Sequence, residues 1–162
     1  MANRMHRAVS LCNKTPRRLR TWLVSTIIGR AVKMAGSTRL QIEQLSAQNS
    51  RVRIRNIKKN QNHIGSVHAC ATALAAESAT GFLVGMNVPD SRIPVIKSMA
   101  IQFVRRSSGD ITCRANLTAE QRERILTEEK GEVRVNCTVT DTTGAEPVKA
   151  EMVWAWTPKR RR

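Results

Sequence analysis

Three polar residues, Asn62, His68 and Glu77, interrupt a segment of small and apolar residues near the middle of the chain. Between residues 69 and 88, Glu77 is the only charged side chain. The stretch from 66 to 83 is rich in Ala, Ser and Thr and has no proline, which predicts a helix thin enough for other backbone to approach closely. An unpaired buried carboxylate costs several kcal/mol, so Glu77 must face water, a cation or a substrate. Glu77 is therefore a candidate site residue.

The composition limits the classes of function that the chain can have. A chain of 162 residues with 41% hydrophobic residues fits one domain with a sizeable core. Its net charge of +16 favours polyanionic partners such as nucleic acid, anionic lipid or a phosphate-bearing cofactor. Aromatic residues make up only 3% of the chain, which disfavours a stacking platform for single-stranded nucleic acid. A pI near 11.3 keeps nucleic-acid binding open as an alternative, although the sequence has no helix-turn-helix, KH or RNP-like pattern.

The cysteines and histidines form no metal-binding pattern. No CxxC pair exists, and the three histidines have no metal-ligand spacing to the four cysteines, which are Cys12, Cys70, Cys113 and Cys137. We therefore predict no metal site and no bound cofactor. The cysteines are expected to be reduced, which favours a cytoplasmic location, with the mitochondrial matrix as the alternative in a eukaryote.

The amino-terminal part of the chain is basic, because nine Lys or Arg residues precede the first acidic residue, Glu43. Such a start is typical of a mitochondrial presequence. We favour a basic tail over residues 1–14 and then a packed helix, with Thr15 as N-cap, Pro16 as first helical residue and an end near Gly36. The helical spacing predicts a packed stripe that comprises Leu19, Trp22, Leu23, Thr26, Ile27, Arg30, Ala31 and Met34. The apolar run in this helix is too short to span a bilayer, so no membrane span is expected.

Beyond this helix the pattern changes to short alternating segments that predict strands. Two such segments precede the central helix and four follow it. A short helix interrupts the last four, and Thr118 and Gln121 at its start have capping-box spacing. No repeat or long linker divides this pattern. Residues 15–158 are therefore predicted to form one α+β domain with an antiparallel sheet, followed by a basic tail at 159–162.

A set of motifs spans nearly the whole chain, from Arg17 to Lys159. It comprises NHIGSVHA, a carboxylate nine positions after its second His, GMNVPDS, the strand pair around RRSSGDITCRANLT, the turn EEKGEV and the terminal MVWAW. This set resembles the hotdog-fold acyl-CoA thioesterase superfamily, and within it an uncharacterised branch related to thioesterases of the phenylacetate-pathway type. The resemblance implies an antiparallel sheet wrapped around a long central helix, with the amino-terminal helix as an addition.

By position in these motifs, the resemblance implies roles for four residues in hydrolysis of an acyl-CoA thioester. Glu77 takes the place of the catalytic carboxylate, as base or nucleophile. Asn62 takes the place of the polar residue that binds the thioester or positions water, and His68 that of the His before the oxyanion-hole residue. Ala69 takes the oxyanion-hole place, where many relatives have Gly. Its Cβ narrows the approach to the amide, but the backbone N–H is retained.

Helical geometry separates two of these residues. Nine helical residues place His68 and Glu77 on opposite sides and roughly 13 Å apart along the axis. Either the helix begins after His68 or a second subunit completes the site, and we favour a homodimer or a dimer of dimers. Coenzyme A enters only as part of the substrate. Lys97, Arg105 and Arg106, which flank a central strand, are candidates to hold its phosphates.

Other interpretations stay open at this point. Glu77 could pair with Arg53 or Arg55 and serve only the fold, and Asn62 could simply close a turn. A hotdog protein could also bind acyl chains or coenzyme A without cleaving them.

Overall fold

The computed structural model describes residues 3–159, which form five α-helices and six β-strands. The helices are α1 (Arg4–Cys12), α2 (Arg17–Ala31), α3 (Lys33–Ser37), α4 (Ala69–Asn87) and α5 (Ala119–Thr127). The strands are β1 (Gln41–Leu45), β2 (Asn49–Ile54), β3 (Arg92–Phe103), β4 (Ile111–Asn116), β5 (Gly131–Thr140) and β6 (Val148–Pro158). The residues 160–162 of the predicted carboxyl-terminal tail lie outside the described residues.

The six strands form one antiparallel sheet in the order β1-β2-β4-β5-β6-β3. Helix α4 lies across this sheet and packs mainly on β2 and β4. The predicted α+β class and the antiparallel sheet around a long central helix are confirmed. The capping box at the start of α5 is also confirmed, because the Thr118 hydroxyl accepts from the Gln121 N–H and the Gln121 side chain accepts from the Thr118 N–H.

Small residues let α4 sit close to the sheet. Ala75, Ala76 and Ala79 are fully buried against it. Gly81 touches the ring of Trp154, and a Cβ added there would meet the ring at 2.6 Å. The indole N–H of Trp154 donates to the Thr80 hydroxyl at 2.9 Å, so the one polar atom of this buried ring is satisfied. Within residues 3–159, α4 is also the one helix whose length and apolar composition would suffice to cross a membrane, but most of it is buried in the core.

The interpretation of residues 1–14 as a tail is wrong from residue 3 onwards, because α1 occupies most of that stretch. The side chain of Asn3 caps α1 by accepting from the His6 N–H at 2.7 Å. The same side chain donates to the carbonyl oxygens of Gly85 and Val88, at the end of α4. Val9 is buried in the core. The sequence did not reveal this helix because its contacts are with residues far along the chain, such as Met5 beside Gly85 and the Arg4 N–H that donates to Asp90.

The packing of α2 reverses the predicted stripe. Val24 and Ile28 are the buried residues of this helix, whereas Trp22 is 62% exposed and Ile27 is 50% exposed. The face with Val24 and Ile28 packs beside β1, the first strand of the sheet. On the same side, the Ser25 hydroxyl accepts from the Ile42 N–H at 2.8 Å. Helix α2 thereby covers a sheet edge and satisfies one of its backbone donors.

The predicted single helix up to Gly36 is in fact two helices. The chain turns at Val32 and continues as α3. Gly29 and Gly36 touch across this turn, and a Cβ added at Gly36 would collide with the carbonyl oxygen of Gly29. Two glycines are therefore what permits the close approach of α2 and α3.

The opposite edge of the sheet is formed by β3 and is uncovered. Every residue of this strand is exposed or half-exposed. Ile96, Met99 and Phe103 pair with the buried residues Trp154, Met152 and Val148, so their side chains point to the same side of the sheet as α4. Helix α4 makes far less contact with β3 than with β2 or β4. The chain therefore has an apolar strand face that the rest of residues 3–159 covers only in part.

Candidate functional site

Glu77 lies about two and a half turns from the start of α4. Its side chain is half-buried and has no ionic partner in the described part of the chain. Its carboxylate accepts only a hydrogen bond of 3.3 Å from the Ser78 hydroxyl. Burial raises the pKa of Glu77 above its ordinary value, and the Ser78 hydrogen bond opposes this only in part. Arg53 binds Glu43 and Asp110 instead, so the alternative in which Arg53 neutralises Glu77 is wrong.

The amino-terminal end of α4 presents a free backbone donor. His68 is the N-cap, and its Nδ1 accepts from the Cys70 N–H at 3.1 Å. The His68 N–H donates to the Asn60 carbonyl oxygen at 2.7 Å. Ala69 is the first helical residue, and its N–H has no acceptor within residues 3–159. The helix therefore begins after His68, which is one of the two arrangements that the sequence allowed.

Asn62 shapes the loop before α4. Its side-chain oxygen accepts from the N–H groups of Ile64 and Ser66, both at 3.1 Å. Its own N–H donates to the Ser66 carbonyl oxygen at 2.9 Å. Asn62 thus closes a turn, as one alternative predicted. The side-chain NH₂ group has no acceptor in the part of the chain that the structure describes, so it is still available to a ligand.

A cavity of about 140 Å³, which we call the amide cavity, joins the start of α4 to the strand end after β3. It brings together four of the residues that the sequence singled out, Asn62, Ala69, Arg105 and Arg106. Arg106 is held in place, because its guanidinium donates to the Ile64 carbonyl oxygen at 2.7 Å and to the Ser66 hydroxyl at 3.4 Å. Arg105 is exposed and forms no ion pair within the described residues.

Sequence reasoning missed the apolar wall of the amide cavity. Phe103, Val148 and Ile64 complete it. The signal for Phe103 was its place two residues before Arg105 at the end of a strand, but only the sheet register shows that its ring turns towards α4.

Lys97 is not at this site. It pairs with Glu132, which lies on the face of the sheet away from α4, since the neighbouring Val133 is the buried residue. A register shift between Ile96 and Ser98 turns Lys97 outward. Strict alternation back from Phe103 would bring Lys97 to the side of α4, but one extra residue in the bulge reverses its facing.

Glu77 and the amide cavity are also apart within one chain. Eight helical residues from Ala69 to Glu77 correspond to about 12 Å along the axis and to about 80° around it. A stripe of half-exposed or exposed residues at four-residue spacing winds slowly around the helix between them, formed by Ala69, Ala73, Glu77 and Gly81. This spacing is visible in the sequence, although its exposure is not. Within residues 3–159, no three His, Cys, Asp or Glu side chains lie close enough to hold a metal ion.

Comparisons with known proteins identify the family and similar folds. A family model described as "Domain of unknown function (DUF4442)" matches residues 20–156. A solved structure of a Pseudomonas aeruginosa protein, described as of unknown function and a probable thioesterase, is 27% identical, with a TM-score of 0.77 over 86% of this chain and 96% of that chain. No curated protein matches the chain.

Two further structures show the fold at low identity. A Staphylococcus aureus thioesterase is 11% identical, with a TM-score of 0.66 over 78% of this chain and 99% of that chain. A Haemophilus influenzae thioesterase is 10% identical, with a TM-score of 0.63 over 77% of this chain and 82% of that chain. The predicted hotdog fold, and the place of the chain in an uncharacterised branch of that superfamily, are thereby confirmed.

Proposed function

The chain belongs to the DUF4442 family, and from that premise we propose that it hydrolyses acyl-CoA thioesters in a site shared between two subunits. The observation that carries this proposal is Glu77. It is the only carboxylate of the central helix, it is half-buried without a cation in the described chain, and it lies on the exposed stripe of α4 that begins at Ala69, whose N–H is free. A desolvated carboxylate that no structural partner neutralises is a frequent mark of a catalytic base.

In the proposed reaction, Glu77 takes a proton from water while the water oxygen attacks the thioester carbonyl carbon. The carbonyl oxygen becomes an oxyanion, which accepts a hydrogen bond from the Ala69 N–H at the positive end of α4. The C–S bond then breaks, and the thiolate of coenzyme A leaves with the proton that Glu77 held. Attack by Glu77 itself would give an acyl anhydride that water then opens, with the same balance of atoms.

A second copy of the chain brings the two groups together. Within one subunit about 12 Å of helix separates Glu77 from the Ala69 amide, too far for both to act on one thioester. Pairing of two β3 strands about a two-fold axis would cover the open apolar edge and place the half-exposed α4 stripes of both subunits beside each other. Glu77 of one subunit would then face the amide cavity of the other.

The cations of the amide cavity suit the phosphates of coenzyme A. Arg105 is exposed at the rim without an ion pair in the described chain, and Arg106 is fixed by the Ile64 carbonyl oxygen. Guanidinium groups bind phosphates with paired hydrogen bonds, which positions the pantetheine arm towards Ala69. Lys97 is excluded from this role because it lies on the other face of the sheet with Glu132.

Replacement of Glu77 by Gln tests the proposal. This change keeps the size of the side chain but removes its basicity, so hydrolysis of acyl-CoA should fall by about a hundredfold or more. The measurement is kcat/KM for short, medium, long and aromatic acyl-CoA substrates. Ser78→Ala, which removes only the hydroxyl that contacts Glu77, is the matched control and should retain most of the activity. Wild-type rates in Glu77→Gln would show that Glu77 is not the catalytic group.

The raised pKa of Glu77 predicts two pH effects of known sign. The base acts in its ionised form, so kcat/KM should rise with pH through a midpoint above the ordinary value of 4.5. The folded state also binds the Glu77 proton more tightly than the unfolded state, so Glu77 lowers stability as pH rises above that ordinary value. Glu77→Gln should therefore be the more stable protein at neutral pH, with a difference that vanishes in acid. If the free energy of unfolding has the same pH dependence in Glu77→Gln and in the wild-type protein, this prediction is contradicted.

A protein that binds acyl-CoA without cleaving it is the second candidate. The Cβ of Ala69, which narrows access to the oxyanion donor, favours it. Binding of acyl-CoA in calorimetry without any release of free thiol would select this alternative over hydrolysis.

A further inference from the structure

A second cavity, of about 560 Å³, lies between α2, α3 and the ends of β1 and β2. It shares no lining residue with the amide cavity. Four arginines line it, and we call it the arginine cavity; they are Arg18, Arg30, Arg39 and Arg55. Its size is in the range of cavities that hold a small organic ligand, which is roughly 300–1,000 Å³.

In the described part of the chain, no carboxylate lines the arginine cavity. Its lining contains no Asp or Glu, and none of its arginines takes part in an ion pair within residues 3–159. Glu43 and Asp110 both bind Arg53, and the charge of Arg55 also helps to lower the pKa of Asp110, so Asp110 offsets the charge of Arg55 in part. In addition, Nε of Arg55 is buried without a hydrogen-bond acceptor in the described chain. A buried charged donor without a partner is costly, and an anionic ligand in the cavity would supply an acceptor for this atom.

The backbone at Arg39 is strained in a way that serves the cavity. Arg39 is the one residue other than glycine, within residues 3–159, with a positive φ, which is 54°. This left-handed position directly after a helix end is usually taken by glycine, and a residue with a Cβ costs roughly 1–2 kcal/mol there. Glycine at this position would relieve the strain but would remove the charge. The arginine therefore keeps a cation at the cavity at a cost in backbone strain.

The neighbourhood of the cavity adds to the positive field. Lys59 donates to the carbonyl oxygen of Ser37 beside it. Burial first, and then the charges of Arg39 and Arg55, lower the pKa of Lys59. Three cations are thus close enough to repel one another, and an anion between them would relieve that repulsion.

Trp22 gives the cavity a flat apolar side. Its ring lines the cavity and is 62% exposed, so one face is open to a ligand. Hydroxyls of Thr21, Ser25 and Thr26 lie along the same helix face and supply further hydrogen-bonding groups. An indole beside several guanidinium groups suits a planar ring that carries phosphates.

We propose that the arginine cavity binds a nucleotide, with its phosphates on Arg39, Arg55 and Arg18 and its base stacked on Trp22. This goes beyond the proposed hydrolysis, because no step at Glu77 or Ala69 uses this cavity. The nucleotide is either free in solution or the nucleotide end of a coenzyme A molecule. Both carry the chemistry that the cavity recognises.

Intrinsic fluorescence gives a direct test, with ADP as the probe. The chain has three tryptophans, and Trp154 and Trp156 are buried, so a stacked base should quench mainly Trp22. We expect ADP to quench this emission, and adenosine and pyrophosphate to bind at least about tenfold more weakly, because each makes only half of the contacts. The titration is run on the variant Glu77→Gln, in which the proposed hydrolysis is removed. ADP binding to this variant therefore tests the arginine cavity independently of whether the chain is a thioesterase.

The variant Arg39→Gly sharpens the test. It removes a cation and also the strain of the positive φ, so ADP affinity should fall by about tenfold or more without a fall in melting temperature. Arg7→Ala is the matched control, because Arg7 is exposed on α1 and its loss changes the net charge equally. Equal ADP affinity in the two variants would overturn the proposal, since binding would then depend only on total charge.

Two further outcomes decide the remaining points. If coenzyme A displaces ADP and quenches Trp22 equally, the ligand is the nucleotide end of coenzyme A; if it does neither while ADP binds, the ligand is a free nucleotide. Absence of ADP quenching, or binding to phosphatidylglycerol vesicles in its place, would overturn the nucleotide assignment.

Discussion

Strand β1 and strand β3 form the two edges of the same sheet, but only β1 is covered by helices of its own chain. At β1, helix α2 packs Val24 and Ile28 along the strand and accepts a backbone hydrogen bond through Ser25. At β3, twelve residues present exposed or half-exposed side chains, among them Met99 and Phe103. An uncovered, apolar strand of that length invites pairing with another chain.

The difference between the two edges indicates where the proposed second subunit would pack. The β1 edge is complete within the chain, and the arginine cavity beside it is formed by one subunit alone. The exposed stripe of α4 that carries Glu77 begins near the β3 edge, since Ala69 and Phe103 line the same cavity, and it ends at Gly81, which touches Trp154, the partner of Ile96 in β3. A single event, dimerisation through β3, would complete both the edge and the site.

The largest effect is expected from a charge at the open edge. Met99→Glu and Ile27→Glu change residues that are both 50% exposed, one on β3 and one on α2. At a dimer interface an unpaired charge costs several kcal/mol, so Met99→Glu should give a monomer and lower hydrolysis by about a hundredfold or more, as loss of the shared base would. Ile27→Glu should keep both the assembly and the activity. Light scattering and a thioesterase assay measure the two effects.

A monomeric wild-type protein with full activity would remove the basis of this comparison. So would a dimer that survives Met99→Glu but is broken by Ile27→Glu, because the interface would then lie on the helical edge.

A smaller effect is expected at the covered edge, where two neighbouring isoleucines differ in burial. Ile28 is 7% exposed and Ile27 is 50% exposed. Ile28→Ala should lower the free energy of unfolding by about 2–5 kcal/mol, since it leaves a cavity between α2 and β1. Ile27→Ala should change it by no more than about 0.5 kcal/mol. Equal losses in urea unfolding would show that the outward face of α2 is covered in solution.

Most of the fold could be predicted from sequence because its signals are local. Alternation predicted the strands, the small residues predicted a closely packed α4, and the spacing of Thr118 and Gln121 predicted the start of α5. The resemblance supplied the sheet around the helix. These patterns depend on the period of each element, which a single sequence records.

The orientation of elements could not be predicted in the same way. Periodicity identified an apolar stripe on α2 but not its direction, and the stripe with Trp22 faces outward because Val24, Ser25 and Ile28 match the β1 edge better. The helix at residues 4–12 depends on a distant contact of Asn3 with the end of α4. One bulge turns Lys97 to the face of the sheet away from α4, where it cannot serve the amide cavity. Each of these is decided by contacts far apart in sequence.

For the candidate site, the sequence predicted which residues are candidates better than it predicted which of them lie together. Asn62, Ala69, Arg105 and Arg106 come together in the amide cavity, while Glu77 lies farther along the helix. Helical geometry predicted that His68 and Glu77 cannot act together within one continuous helix, and left open whether the helix begins after His68 or a second subunit completes the site. It could not indicate which surface would supply the partner. Pro94, which cannot donate a hydrogen bond to a neighbouring strand, is a sequence signal that β3 is an edge, but it does not show that the edge is uncovered.

The most direct test of a shared site is a mixture of two inactive variants, Glu77→Gln and Ala69→Pro. Proline removes the Ala69 N–H yet is tolerated at the first position of a helix, and His68 before it has the extended backbone that proline requires, with φ −60° and ψ 144°. Loss of this donor should cost about a hundredfold or more in kcat. Ala69→Gly, which keeps the N–H, should stay active.

When the two variants are unfolded and refolded together in equal amounts, half of the dimers are mixed, and one of their two sites has both Glu77 and the Ala69 N–H. The account predicts that the mixture regains about a quarter of wild-type activity. A mixture no more active than the two variants measured separately would contradict a site shared between subunits.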